Sequence, residues 1–203
     1  MRYQRIYAIC GMLSPIIYTM MWIIGGILQP KYSHIRDDIS DLLARGASDK
    51  LLMDIMNIAS CILLLIFFLS LHKSINNSEG SKIGPIALII SGFLGMLVAL
   101  FFPLGPNGEL TDWRAVTHAT IIFSQVPITI IAMIAIWRRL KKLEEWRAYG
   151  TFSLLAFILT MVFGLMTPMS IDTPIMGLVE RLAICTIMIF YFMLALGAYR
   201  NCE

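Results

Sequence analysis

Six long apolar stretches, at about 6–28, 51–72, 83–102, 113–136, 149–168 and 174–198, leave this chain few ways to fold. A hydrocarbon layer of ~30 Å is crossed by about 20 helical residues at ~1.5 Å each, and inside it every backbone N–H and C=O must find its partner within the segment. The stretches therefore predict an all-α, six-transmembrane-helix bundle that forms a single integral membrane domain over residues 1–203. Composition agrees, since 58% of the residues are hydrophobic and only 14% are charged. Soluble domains run at about 25% charged, so an ordinary soluble enzyme is excluded. No basic tract suits a nucleic acid.

The basic residues Arg2 and Arg5 ahead of the first stretch resemble the start of a secretory signal. The apolar run behind them outlasts the ~7–15 residues of such a signal, so it is expected to stay as a transmembrane helix. Cys10, Cys61 and Cys185 fall inside apolar runs without ligand spacing and are expected to pack among helices, while Cys202 follows the last run as a tail thiol open to acylation.

Orientation follows from lysine and arginine. Ten of the sixteen lie on the side that holds both ends and the 73–82 and 137–148 loops, whereas six lie on the other side. Positive residues mark the cytoplasmic side, so both termini are expected in the cytoplasm of a cell-membrane protein. Trp137 and Trp146 in the basic loop are expected at the interface. On the outer side, the 30–50 loop carries Ile35, Ile39, Leu42 and Leu43 at helical spacing, with Arg36, Asp37, Ser40 and Asp41 on the other faces and Gly46 as a stop. This pattern predicts a short amphipathic helix in the first outer loop. Asp49, Thr111 and the Thr173-Pro174 pair are candidate caps for helices two, four and six.

Ionisable groups within a membrane run are costly and tend to face a partner or a cavity. Counted from the outer helix ends, Asp54 lies about 5–7 Å in, Arg114 at the rim, His118 about 9 Å in, and Glu180 with Arg181 about 9–10 Å in. Together they predict one polar layer in the outer third of the bilayer. On helix four Arg114, His118 and Gln125 share one stripe, and on helix two Asp54, Asn57 and Cys61 share another. Pro127 leaves the carbonyl of Phe123 without its helical donor, close to Gln125.

Two readings follow. In the first, the charges are clamps in which Asp54 or Glu180 neutralises Arg114 or Arg181. In the second, His118, Arg114, Gln125, Asp54, Glu180, Arg181, Ser40 and Asp41 line an outward cavity that binds a lipid headgroup or a small polar ligand. A hydrolytic or lipid-modifying enzyme would use His118 as base with Glu180 or Asp54 as its orienting acid. An accessory subunit would have no chemistry of its own. A metal would need His34 with carboxylates such as Asp38, Asp41, Asp54 or Glu180, but their spacing matches no ligand pattern, so neither metal nor cofactor is expected. Membrane lipids are the expected partners.

Tyr32-Ser33, Ile39-Ser40-Asp41-Leu42, Phe102-Pro103, His118 and Glu180-Arg181 make the chain similar, over nearly its whole length, to a family of prokaryotic multi-pass membrane proteins catalogued as domain of unknown function 998. The resemblance implies a six-helix bundle in which the polar outer layer is a family feature. It implies no reaction.

The charge count is tested by labelling single cysteines in a background lacking the native ones. Glu144→Cys should be protected from an impermeant reagent in intact cells and Ser48→Cys labelled by it; the opposite pattern would reverse the orientation.

Overall fold

The computed structural model describes residues 2–76 and 79–201, and Cys202 lies outside them. Its six α-helices are α1 (Arg2–Leu28), α2 (Lys50–Asn76), α3 (Ile83–Phe101), α4 (Trp113–Leu140), α5 (Arg147–Met169) and α6 (Met176–Arg200). All six are long and apolar enough to cross a membrane. Each also leaves large apolar side chains on the outside of the bundle, among them Ile16, Leu69, Phe93, Ile131, Leu165 and Ile189. In water such a surface would aggregate, whereas in a bilayer it is the surface that lipid wets. The chain is a multi-pass membrane protein.

The helices end where local chemistry stops them. Phe102 leaves the helical region at φ −125° and ψ 63° because Pro103 follows it. Asp112, one residue beyond the expected Thr111, caps α4 by accepting the N–H of Ala115 at 3.0 Å. Thr173-Pro174 belongs to the turn before α6 and does not begin that helix: the Thr173 hydroxyl donates to the Ser170 carbonyl at 2.6 Å, and α6 starts at Met176.

Neighbouring helices in the chain pack side by side, and α6 returns onto α1 to close the ring. Both termini therefore share one end; the end with the 29–49, 102–112 and 170–175 segments is called distal here. Toward the terminal end the interior is filled by Phe67, Phe68, Leu71, Met133, Phe190 and Leu194. Trp146, at the start of α5, turns inward and belongs to this core, because the absent side chain of Gly197 leaves room for its ring. Since lipid tails are as apolar as leucine, helix pairing here depends on close packing and polar staples. Ser14 meets Ser60 at 3.0 Å, binding α1 to α2, and Ser91 meets Thr129 at 3.1 Å, binding α3 to α4. The Tyr191 hydroxyl of α6 joins the second pair.

The distal interior is filled from the loop. Its apolar periodicity yields a 3-10 turn, Ile39–Leu43, shorter than an amphipathic α-helix. Ile39 (1% exposed) and Leu42 (0%) plug the ring against Met21 of α1 and Met53 of α2, while Ile35 (55%) stays outside. Gly25 makes the insertion possible, since a Cβ there would stand 2.7 Å from Met53 Sδ and 3.0 Å from Leu42 Cδ1. Past the turn, Gly46 at φ +89° reverses the chain toward α2.

Leu42→Ala should lower stability in detergent by about 2–5 kcal/mol through the cavity it leaves, and Ile35→Ala by no more than ~0.5 kcal/mol. Thermal unfolding of both variants measures the contrast; equal effects would mean the plug is not part of the packed core.

Candidate functional site

At the distal end one side chain organises the loop. Arg181 in α6 is 6% exposed, so its charge needs partners inside the protein. Nη1 donates to the carbonyls of His34 (2.9 Å), Asp37 (2.8 Å) and Gly177 (2.8 Å), and Nη2 donates to the Tyr32 hydroxyl. The guanidinium also lies over the rings of Trp22 (5.4 Å) and Tyr32 (5.5 Å), an arrangement that stabilises a cation. Nε has no partner among the described residues.

The loop in turn satisfies the start of α6, whose first N–H groups lack helical acceptors. Gly177 N–H donates to the Arg36 carbonyl at 3.2 Å and Leu178 N–H to that of Ile35 at 2.9 Å. Glu180 accepts the N–H of Ile39 at 2.7 Å. Glycine is required at 177, because a Cβ there would lie 2.3 Å from the Asp37 carbonyl oxygen. The same close approach recurs at Gly26, where a Cβ would lie 2.3 Å from the His34 ring. Across the mouth, Arg45 meets Asp112 at 2.7 Å and its N–H reaches the Leu104 carbonyl at 3.1 Å, binding the first distal loop to the second.

These contacts separate the expected layer into several places. Glu180, Arg181 and Asp41 come together beneath and within the loop, with half-buried Ser40 on the same turn. His118 and Gln125 serve the α3–α4 seam. His118 Nδ1 bonds the Phe102 carbonyl at 2.7 Å, and Gln125 donates to the Ser91 carbonyl at 2.7 Å. Arg114 is exposed and lies over the Trp113 ring at 5.5 Å. Asp54 pairs with Lys50, one turn earlier on α2, at 2.6 Å. No carboxylate clamps Arg181 or Arg114 among the described residues; backbone carbonyls hold the first and an indole stacks on the second.

Sequence reasoning missed Trp22 as a partner of Arg181, along with the carbonyls that do most of the holding. Every residue has a carbonyl, so residue type gives no sign of such an acceptor. The Gly25-Gly26 pair was the available signal that something packs closely on α1.

Asp38 and Asp41 lie within electrostatic reach of Glu180. Neither enters a salt bridge among the described residues, where Arg36 pairs with Asp37, Arg45 with Asp112 and Lys50 with Asp54. Burial pushes the Asp41 carboxyl up to about 6, and its acidic neighbours Asp38 and Asp37 add to this. Burial also raises Asp38. Asp37 goes the other way: burial opposes its charge, but the Arg36 bond and the Ser33 N–H outweigh it and hold the carboxyl low. Among the described residues no group of three His, Cys, Asp or Glu is placed to hold a metal ion.

A family model described as protein of unknown function (DUF998) matches residues 12–197. No curated protein and no solved structure matches the chain.

The Asp41 shift predicts a pH dependence of stability. The folded protein keeps this proton to about pH 6, whereas an undocked loop releases it near 3.8. Between those values the native state binds more protons, so this group's contribution to stability is greatest in acid and is lost as pH rises through about 6. Asp41→Asn should raise the melting temperature relative to wild type at pH 7.5, with the difference vanishing toward pH 4. A constant difference across that range would assign the effect to another group.

Proposed function

The chain belongs to the DUF998 family, and from its geometry we propose that it is a ligand-binding membrane protein whose site is the polar distal layer, facing the outside of the cell membrane. The ligand is a lipid headgroup or a small polar molecule that carries an ammonium group. One observation supports this most directly: Asp38, Asp41 and Glu180 are gathered around Arg181, which spends its Nη donors on carbonyls and a hydroxyl. Asp38 and Asp41 against one arginine leave an acid excess that a cation complements. Asp38 and Asp41 are only half-buried, so an ammonium reaches them while the loop stays docked.

Binding is favoured over hydrolysis by the position of the histidine. A general base needs an orienting acid and access to substrate. The His118 ring is 8% exposed, and its Nδ1 is taken by a carbonyl at the α3–α4 seam. Glu180 is engaged with the loop and Asp54 with Lys50.

The reading is tested with the purified full chain and millimolar glycerophosphoethanolamine, with glycerophosphoglycerol as the headgroup lacking an ammonium. The first should raise the melting temperature and the second should not. Asp38→Asn and Asp41→Asn should each weaken the response about tenfold, equivalent to ~1.4 kcal/mol, while Arg114→Ala should leave it intact. Equal responses to the two headgroups, or no response to either, would refute the ammonium site.

A further inference from the structure

A lateral groove opens between α1 and α6, and its walls lead to the polar layer. Pro15 and Thr19 of α1 line it, four residues apart, and Trp22 stands three residues further on. On α6, Cys185, Met188 and Phe192 line it at four, seven and eleven residues from Arg181. Residues at these spacings share one helix face, so both walls climb toward Trp22 and Arg181, which touch at 5.4 Å and close the distal end. At a rise of ~1.5 Å per residue, the α6 wall runs from about 6 Å to about 16 Å below Arg181, within the membrane-spanning part of the helix.

We infer that this groove receives an acyl chain of the ligand, and that the ligand is a phospholipid with an ammonium-bearing headgroup. The groove is apolar, lateral and at membrane depth, where hydrocarbon is what meets it. One helical turn above Cys185 stands the second observation: Arg181 is 6% exposed and yet its Nε has no partner among the described residues. A buried guanidinium N–H calls for an acceptor, and phosphate oxygen is the one whose geometry and charge suit arginine best. Beyond Arg181, Tyr32 carries the path to Asp38 by donating to its carbonyl at 2.7 Å, and the excess carboxylates begin there. Apolar groove, arginine and acid cluster thus follow the order of chain, phosphate and ammonium in a zwitterionic phospholipid. This rests on the ammonium-site reading and adds the phosphate and the chain.

The experiment compares dioctanoyl-phosphatidylethanolamine with glycerophosphoethanolamine, which is the same headgroup without chains, on the full chain in detergent. Thr19→Trp and Ile189→Trp each fill the groove; Ile189 faces outward at 52% exposure, so its substitution keeps the test informative even if Thr19→Trp unfolds. Wild type should bind the lipid at least about tenfold more tightly than the chainless headgroup. Both variants should lose that advantage and keep the response to glycerophosphoethanolamine. Undiminished lipid binding in the folded variants would overturn the groove assignment and leave the headgroup site standing. A wild type that responds to neither compound would overturn the headgroup site and this inference with it. Equal affinity for dioctanoyl-phosphatidylglycerol would overturn the ammonium and retain only the chain and phosphate.

Discussion

The distal half of this protein depends on a buried arginine that binds main-chain oxygen. A buried guanidinium needs acceptors for most of its donors, and Arg181 uses its Nη groups on three carbonyls and the Tyr32 hydroxyl. Carbonyls belong to the backbone, so satisfying the arginine specifies the path of the loop as well as its position. Lysine would supply the charge without the planar fork that reaches several acceptors together. The rest follows from that path: Ile39 and Leu42 enter the ring, the start of α6 gains acceptors, and Asp38 and Asp41 arrive beside Glu180.

The polar groups of the bundle serve two purposes. Along the seams, Ser14 with Ser60, Ser91 with Thr129, Gln125 with the Ser91 carbonyl, and His118 with the Phe102 carbonyl join helices that hydrophobicity alone would leave indifferent to one another in lipid. Each is a neutral interaction between nearby elements. At the distal end the groups are charged, they come from segments far apart in the chain, and acids outnumber bases. Structural need explains the first set fully. It explains Arg181 and the Ile39 bond of Glu180 in the second, but it does not explain why Asp38 and Asp41, without a salt bridge among the described residues, accumulate there, and that surplus is the reason to look for a ligand.

The arrangement also bears on how such a ligand would be held. Its headgroup would meet a surface already shaped by the docked loop, so little ordering would accompany binding. The α1–α6 groove adds contact along the chain without moving either helix, because its walls belong to the closed ring.

The six spans, their membrane character and the burial of Ile39 and Leu42 were determined by the sequence itself, because apolar length and spacing are properties of consecutive residues. Lysine and arginine bias gives an expected orientation, which the fold itself does not address. For Glu180 and Arg181 a rise of ~1.5 Å per residue converts position along the helix into an expected depth. What depth could not supply was direction around the helix axis and the identity of the neighbour. His118 and Arg181 lie equally far from the distal ends of their helices, yet one meets a carbonyl at the α3–α4 seam and the other a loop about 150 residues earlier in the chain. Asp54, which the layer would have matched with an arginine, takes Lys50 because a partner one helical turn away on its own helix requires no tertiary arrangement. Only the closure of the ring, with α6 set against α1 and the loop drawn into its mouth, decided which charges face each other, since that depends on where segments remote in sequence come to rest.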